Sequence, residues 1–235
     1  MTTLEISLLI TCIVLALVFI VVRTLKTGLL AFLLKTLASF GFVASSIVAL
    51  SLSSQEATIK LVMGLIAIGL LLGMIGDMIL DLKVIYDNND HYYLNAGMLS
   101  FALGHIAYFS AFTIWAQYLG ITVLSPILIT AGIAVVLTIG IMLSSKVLKL
   151  DFGKALWQTI VYTFILSFMT IYTLILAIQG GSWLVFVGLL LFFLSDIVLS
   201  QQYFGGKIKS KPLIAINHLL YYSAQIILLA FVFVI

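Results

Sequence analysis

The stretch Leu61-Val-Met-Gly-Leu-Ile-Ala-Ile-Gly-Leu-Leu-Leu-Gly-Met-Ile-Gly-Asp-Met-Ile-Leu-Asp81 decides the fold. It is apolar until Asp77, and Asp81 follows one helical turn later. A run of this length suits an α-helix crossing roughly 30 Å of hydrocarbon. A transmembrane β-barrel would instead show short segments of alternating polarity. A carboxylate placed in hydrocarbon costs roughly 2.5–3.5 kcal/mol on insertion scales, so an intramembrane charge is read as functional, with a partner to be named.

The rest of the chain has the same character. Of its 235 residues 64% are hydrophobic and 8% charged, a balance that leaves no ordinary hydrophilic surface. The expected fold is all-α, a polytopic bundle of eight transmembrane helices forming a single transmembrane domain over 1–235. We place the spans at about 4–22, 29–50, 59–82, 94–115, 120–143, 153–177, 183–200 and 213–234. The first is read as a retained helix rather than a secretion signal, because no basic segment precedes it and no small-residue cleavage site stands before Arg23. The single cysteine, Cys12, excludes an intrachain disulfide and a cysteine zinc site.

Charge sets the expected topology. Arg23, Lys26, Lys35, Lys83, Lys146, Lys149, Lys154, Lys207, Lys209 and Lys211 fall on one side, and Lys60 stands alone on the other. The positive-inside rule makes the first side cytoplasmic. Both termini are then outside, and Asp77, Asp81, Asp196, Lys35, His105 and His218 lie in the cytoplasmic half. The location implied is an integral position in a bacterial inner (plasma) membrane. With no soluble basic domain, nucleic acid is not an expected partner.

The scarce charges also recur. Asp196 follows Asp77 by 119 residues, and Lys154 follows Lys35 by the same interval. Gly104-His-Ile-Ala-Tyr-Phe-Ser-Ala111 likewise resembles Asn217-His-Leu-Leu-Tyr-Tyr-Ser-Ala224. Two four-helix repeats, about 1–115 and 120–235, are therefore expected, related by an axis along the membrane normal because four spans separate them. On the third span Gly69, Gly73, Asp77 and Asp81 recur every fourth residue and are expected to share a face.

Two carboxylates in a restricted space suit proton-transfer chemistry, one neutral and one ionised. The plain alternative is that Asp77 and Asp196 neutralise Lys35 and Lys154. Lys35, six residues into its span, is a candidate for phosphate binding or carboxylate pairing, whereas Arg23 and Lys26 read as topology determinants. His105 with Tyr108, and His218 with Tyr221, are spaced to orient water or a polar substrate. No His-x-x-x-His or Glu-x-x-His spacing supports a metal. The polar loop Tyr86–Tyr93 is a candidate lid.

Taken in order, Lys35, Gly76-Asp77 with Leu80, Gly97 with Gly104-His105-x-x-Tyr108, Tyr162, Ser195-Asp196 with Leu199, and Tyr221-x-x-Ala224-Gln225 resemble the YhhN-type lysoplasmalogenase family of eight-helix membrane proteins. The likeness covers most of the chain; His218 and Lys154 depart from the family's pattern. It implies hydrolysis of the vinyl ether bond of lysoplasmalogens to a fatty aldehyde and a glycerophospho-ethanolamine or glycerophospho-choline. Asp77 and Asp196 are then the catalytic pair, and Lys35, Asp81, His105, Tyr108, Tyr162, Tyr221 and Gln225 bind substrate. No cofactor is expected, and the partners are a lysophospholipid and membrane lipids. The rival readings are a small-solute or ion transporter built from parallel repeats, and a noncatalytic lipid-binding protein.

Overall fold

The structure, a computed structural model, describes residues 1–26, 28–85 and 90–235, with backbone alone at 84–85 and 90–91. The first half of the loop expected as a lid, 86–89, lies outside these residues, and its second half, from Asp90, is already helical. Eight helices are described: α1 (Thr3–Leu25), α2 (Leu29–Leu52), α3 (Ala57–Ile85), α4 (Asp90–Tyr118), α5 (Leu124–Val147), α6 (Leu156–Ile178), α7 (Trp183–Tyr203) and α8 (Lys211–Val234), with a single 3-10 turn at Gly153–Ala155 before α6. There is no strand among the described residues. Each helix is long and apolar enough to cross a membrane.

Polarity is inverted relative to a water-soluble bundle. Leu33 is 54% exposed and Val136 70%, whereas Lys35 is 5% exposed, Asp77 3% and Asp81 2%. Large apolar side chains on the outside with paired charges within is the arrangement that lipid, not water, stabilises. The protein is an integral membrane protein.

Local chemistry sets the helix ends. Thr2 and Glu5 form a capping box at α1, the Thr2 hydroxyl accepting from the Glu5 amide at 3.2 Å and the Glu5 carboxylate from the Thr2 amide at 2.6 Å. Gly28, with φ of +121°, makes the turn into α2 in a region that a side chain disfavours. Several ends differ from those expected. Helices α3 and α4 each run 29 residues, or about 43 Å at 1.5 Å per residue, well beyond the hydrocarbon. Hydropathy reports where lipid ends, and backbone hydrogen bonding continues into the polar residues past it. Helix α5 begins at Leu124 rather than 120, because α4 persists to Tyr118 and Gly120 then takes φ of +76°. Pro126 sits in its first turn, where the missing N–H is no loss.

The chain groups into two compact units, Met1–Trp115 with Gln225–Ile235, and Ala116–Ala224. In the first unit α1 packs along α2 and α2 along α3. Helices α3 and α4 approach through glycines. A side chain at Gly69 would meet the Tyr108 ring, one at Gly76 the Phe101 ring and one at Gly97 Leu80, while Gly104 lies against the Gly69 carbonyl. The Ser100 hydroxyl donates to the Leu72 carbonyl across this seam at 2.7 Å. The end of α8 closes the unit, with Phe231 edge-on to Phe112 and Trp115. In the second unit α6 packs against α5 and α7. Asn217 of α8 donates to the Ser195 carbonyl at 2.8 Å, and Tyr221 packs edge-on against Phe192.

The stripe expected on α3 does not stay on one face. Gly69 turns to α4 whereas Asp77 turns to α2. Steps of four residues advance 400°, so each step drifts about 40° and the stripe winds around the helix.

Candidate functional site

In the first unit the sequence places Lys35 and Ser39 one turn apart on α2, and Asp77 and Asp81 one turn apart on α3, so each pair shares a helix face. The two faces meet. Lys35 Nζ lies 3.1 Å from Asp77 Oδ1 and 3.2 Å from Asp81 Oδ1, and donates to the Asp77 carbonyl at 3.4 Å. The Ser39 hydroxyl donates to Asp77 Oδ2 at 2.7 Å. From the end of α1, Arg23 Nη2 donates to the same Asp81 Oδ1 at 3.2 Å. Two cations and two carboxylates thus form one buried, charge-balanced network, which satisfies the requirement that charge removed from water be paired.

One expectation needs correction here. Arg23 is not only a topology determinant: it is 8% exposed and carries one end of the network. Asp81 is likewise buried, between Arg23 and Lys35. Its second oxygen, Oδ2, has no hydrogen-bond partner among the described residues.

The second unit is organised differently. Asp196, part-buried on α7, accepts a hydrogen bond from the Tyr162 hydroxyl of α6 at 2.6 Å. Lys154, the sequence counterpart of Lys35, lies exposed on the 3-10 turn and makes no ion pair among the described residues. The two lysines share an interval in sequence but not an environment. Neutralisation of Asp196 by Lys154 is therefore not what the structure contains.

The remaining candidates are buried. On α4, His105 Nδ1 is 2.9 Å from the Phe101 carbonyl one turn back, so part of its polar capacity is met within its own helix. Its ring stands edge-on to Tyr108, which stacks on Phe112. The Tyr108 hydroxyl and both amide atoms of Gln225 are buried with no hydrogen-bond partner among the described residues. Tyr221 contacts Phe192 and Tyr222.

A family model, the YhhN family, matches residues 30–232. The chain belongs to the YhhN family. No curated protein and no solved structure is significantly similar to it. The YhhN match takes in Lys35, Ser39, Asp77, Asp81, Tyr162 and Asp196 but stops short of Arg23. Sequence reasoning had passed over two members of the network, and they differ in how visible they were. Ser39 stands one turn after Lys35, so the helical period that put Asp77 with Asp81 would have found it. Arg23 is a lone cation at a helix end, which in sequence is indistinguishable from a topology signal.

Proposed function

We propose that this YhhN protein is a membrane-embedded hydrolase that cleaves the vinyl ether bond of lysoplasmalogens, releasing a fatty aldehyde and a glycerophospho-ethanolamine or glycerophospho-choline. Membership of the family over residues 30–232 carries the reading, and the buried charge of the first unit supports it. Vinyl ethers hydrolyse by protonation of the distal alkene carbon, which leaves an oxocarbenium ion. Water adds to that cation, and the resulting hemiacetal collapses to aldehyde and alcohol. The path requires an acid and a nearby anion, as in glycoside hydrolysis.

Asp77 fits the anion. It is ion-paired to Lys35 and accepts from Ser39, so as a fixed carboxylate it would stabilise the developing cation and orient water. Asp196, which accepts a hydrogen bond from the Tyr162 hydroxyl, is left as the proton donor. Asp81, His105, Tyr108, Tyr221 and Gln225 contribute polar groups to binding. On the loop-charge bias, both termini lie outside a bacterial plasma membrane and the ion network lies in the cytoplasmic half. A single-chain lipid of the inner leaflet would then bring its headgroup to the network and leave its tail among the helices.

The test is aldehyde release from a 1-alkenyl lysophospholipid by purified protein in detergent. Folded Asp77→Asn and Asp196→Asn variants should each lose on the order of 10²-fold or more. A monodisperse wild type that releases no aldehyde would sink the hydrolase reading, and substrate movement into sealed liposomes would then favour a transporter.

A further inference from the structure

Among the described residues, the network of the first unit has hydrogen-bonding capacity unused at two points. The three N–H donors of Lys35 are directed at Asp77 Oδ1, the Asp77 carbonyl and Asp81 Oδ1, which leaves no donor for a phosphate. Arg23 is different: a guanidinium has five donors in a planar fork, and Nη2 alone engages Asp81. Beside it Asp81, 2% exposed, has Oδ2 with no hydrogen-bond partner among the described residues. A buried carboxylate oxygen left in that state is costly and calls for a donor.

We propose that Arg23 and Asp81 form a headgroup site for a zwitterionic phosphoethanolamine group, the guanidinium fork taking the phosphate and Asp81 Oδ2 taking an ammonium N–H. A trimethylammonium group has the same charge but no N–H, so the site discriminates ethanolamine from choline. The proposal rests on the lysolipid substrate class of the preceding section and adds its headgroup.

Spacing along α3 supports the assignment. Asp77 and Asp81 are four residues apart, a rise of about 6 Å. In a 1-alkenyl lysophospholipid five single bonds separate phosphorus from the ether oxygen, which at about 1.5 Å each project to roughly 6 Å. A headgroup held at Arg23 and Asp81 therefore sets the vinyl ether at the level of Asp77.

The experiment measures binding, not turnover, with non-cleavable 1-alkyl lysophospholipids carrying ethanolamine or choline, followed by native mass spectrometry of the whole protein in detergent. Wild type should bind the ethanolamine lipid about tenfold more tightly than the choline lipid, the worth of one charge-assisted hydrogen bond. Asp81→Asn should abolish that preference, and Arg23→Gln should weaken both lipids by about tenfold. Because either single variant leaves a buried charge, the charge-balanced Arg23→Gln/Asp81→Asn double variant is measured as well, and should bind both lipids equally and weakly.

Equal binding of the two lipids to wild type, or a preference that survives in the double variant, would overturn the proposal. A thermal shift by free phosphoethanolamine equal to that by the lipid would assign the site to a soluble phosphate ester and overturn the lipid assignment. The two readings fail separately. Headgroup preference without aldehyde release would refute the hydrolase and leave this site standing, whereas equal turnover of both headgroups would refute the site and leave the hydrolase.

Discussion

Replacing Lys35 by methionine tests the network directly, because it keeps the length of the side chain and removes the ammonium. In the native protein Nζ serves Asp77 and Asp81 at once, at 3.1 and 3.2 Å, with both carboxylates nearly sealed from solvent. The variant leaves Asp81 paired with Arg23, and it takes from Asp77 its ammonium partner while the Ser39 hydroxyl stays in place. Removing one member of a buried pair costs about 3–5 kcal/mol, since the remaining charge stays buried without compensation. For a chain of this size each kcal/mol moves Tm by about 2–4 °C, so a fall on the order of 10 °C is expected. The assay is thermal unfolding in detergent of Lys35→Met, Asp77→Asn and the double variant. The double should be more stable than Lys35→Met alone, with a coupling of at least about 1 kcal/mol for groups in contact. Lys154→Met is the control: an exposed lysine with no ion partner among the described residues should leave Tm unchanged within the scatter of surface substitutions. Equal effects of the two lysine variants, or strict additivity of Lys35→Met with Asp77→Asn, would refute the reasoning.

Tyr162→Phe removes the hydroxyl held 2.6 Å from Asp196 and little else; aldehyde release should fall on the order of 10-fold or more with Tm nearly unchanged, as steady-state kinetics beside a melting curve would read. Gly69→Ala drives a methyl group into the Tyr108 ring and should cost about 1–3 kcal/mol. Gly132→Ala on α5, where an added methyl meets nothing within 4 Å, should be neutral or slightly stabilising in the same unfolding assay.

How far the sequence could be read follows from which forces act locally. The eight spans were visible because residence in lipid demands an unbroken apolar run, and that demand is written residue by residue. Their ends were less so, since α3 continues to Ile85 and α4 begins at Asp90, where hydropathy has already failed but the helix has not. Lys35 and Asp77 could be suspected as partners because charges are scarce here and cannot stand alone in hydrocarbon. That Lys35 also reaches Asp81, and that Arg23 completes the set, depends on the packing of α1, α2 and α3. No single-residue signal carries it. The equal intervals to Lys154 and Asp196 suggested equivalent environments, yet a 3-10 turn before α6 leaves Lys154 exposed while Tyr162 serves Asp196. An interval in sequence fixes a position along a helix, and the surroundings of that position come from its neighbours.

Stability does not explain why four charges are kept inside the first unit. Helices in lipid associate through close packing, and α1 already packs along α2 and α2 along α3. Buried ion pairs repay little of their desolvation, and apolar side chains of similar volume often replace a complete set with no loss or with a gain of about 1–4 kcal/mol. The variant with Arg23→Met, Lys35→Met, Asp77→Leu and Asp81→Leu together should therefore fold and melt at or above the native temperature, although Lys35→Met alone melts lower. It should also release no aldehyde. The opposing signs separate the two roles a charge network can have, because one that serves only to hold helices together would lose stability progressively as each member is removed. If the fourfold variant is less stable than Lys35→Met, the network is structural, and its carboxylates lose their claim to be retained for chemistry.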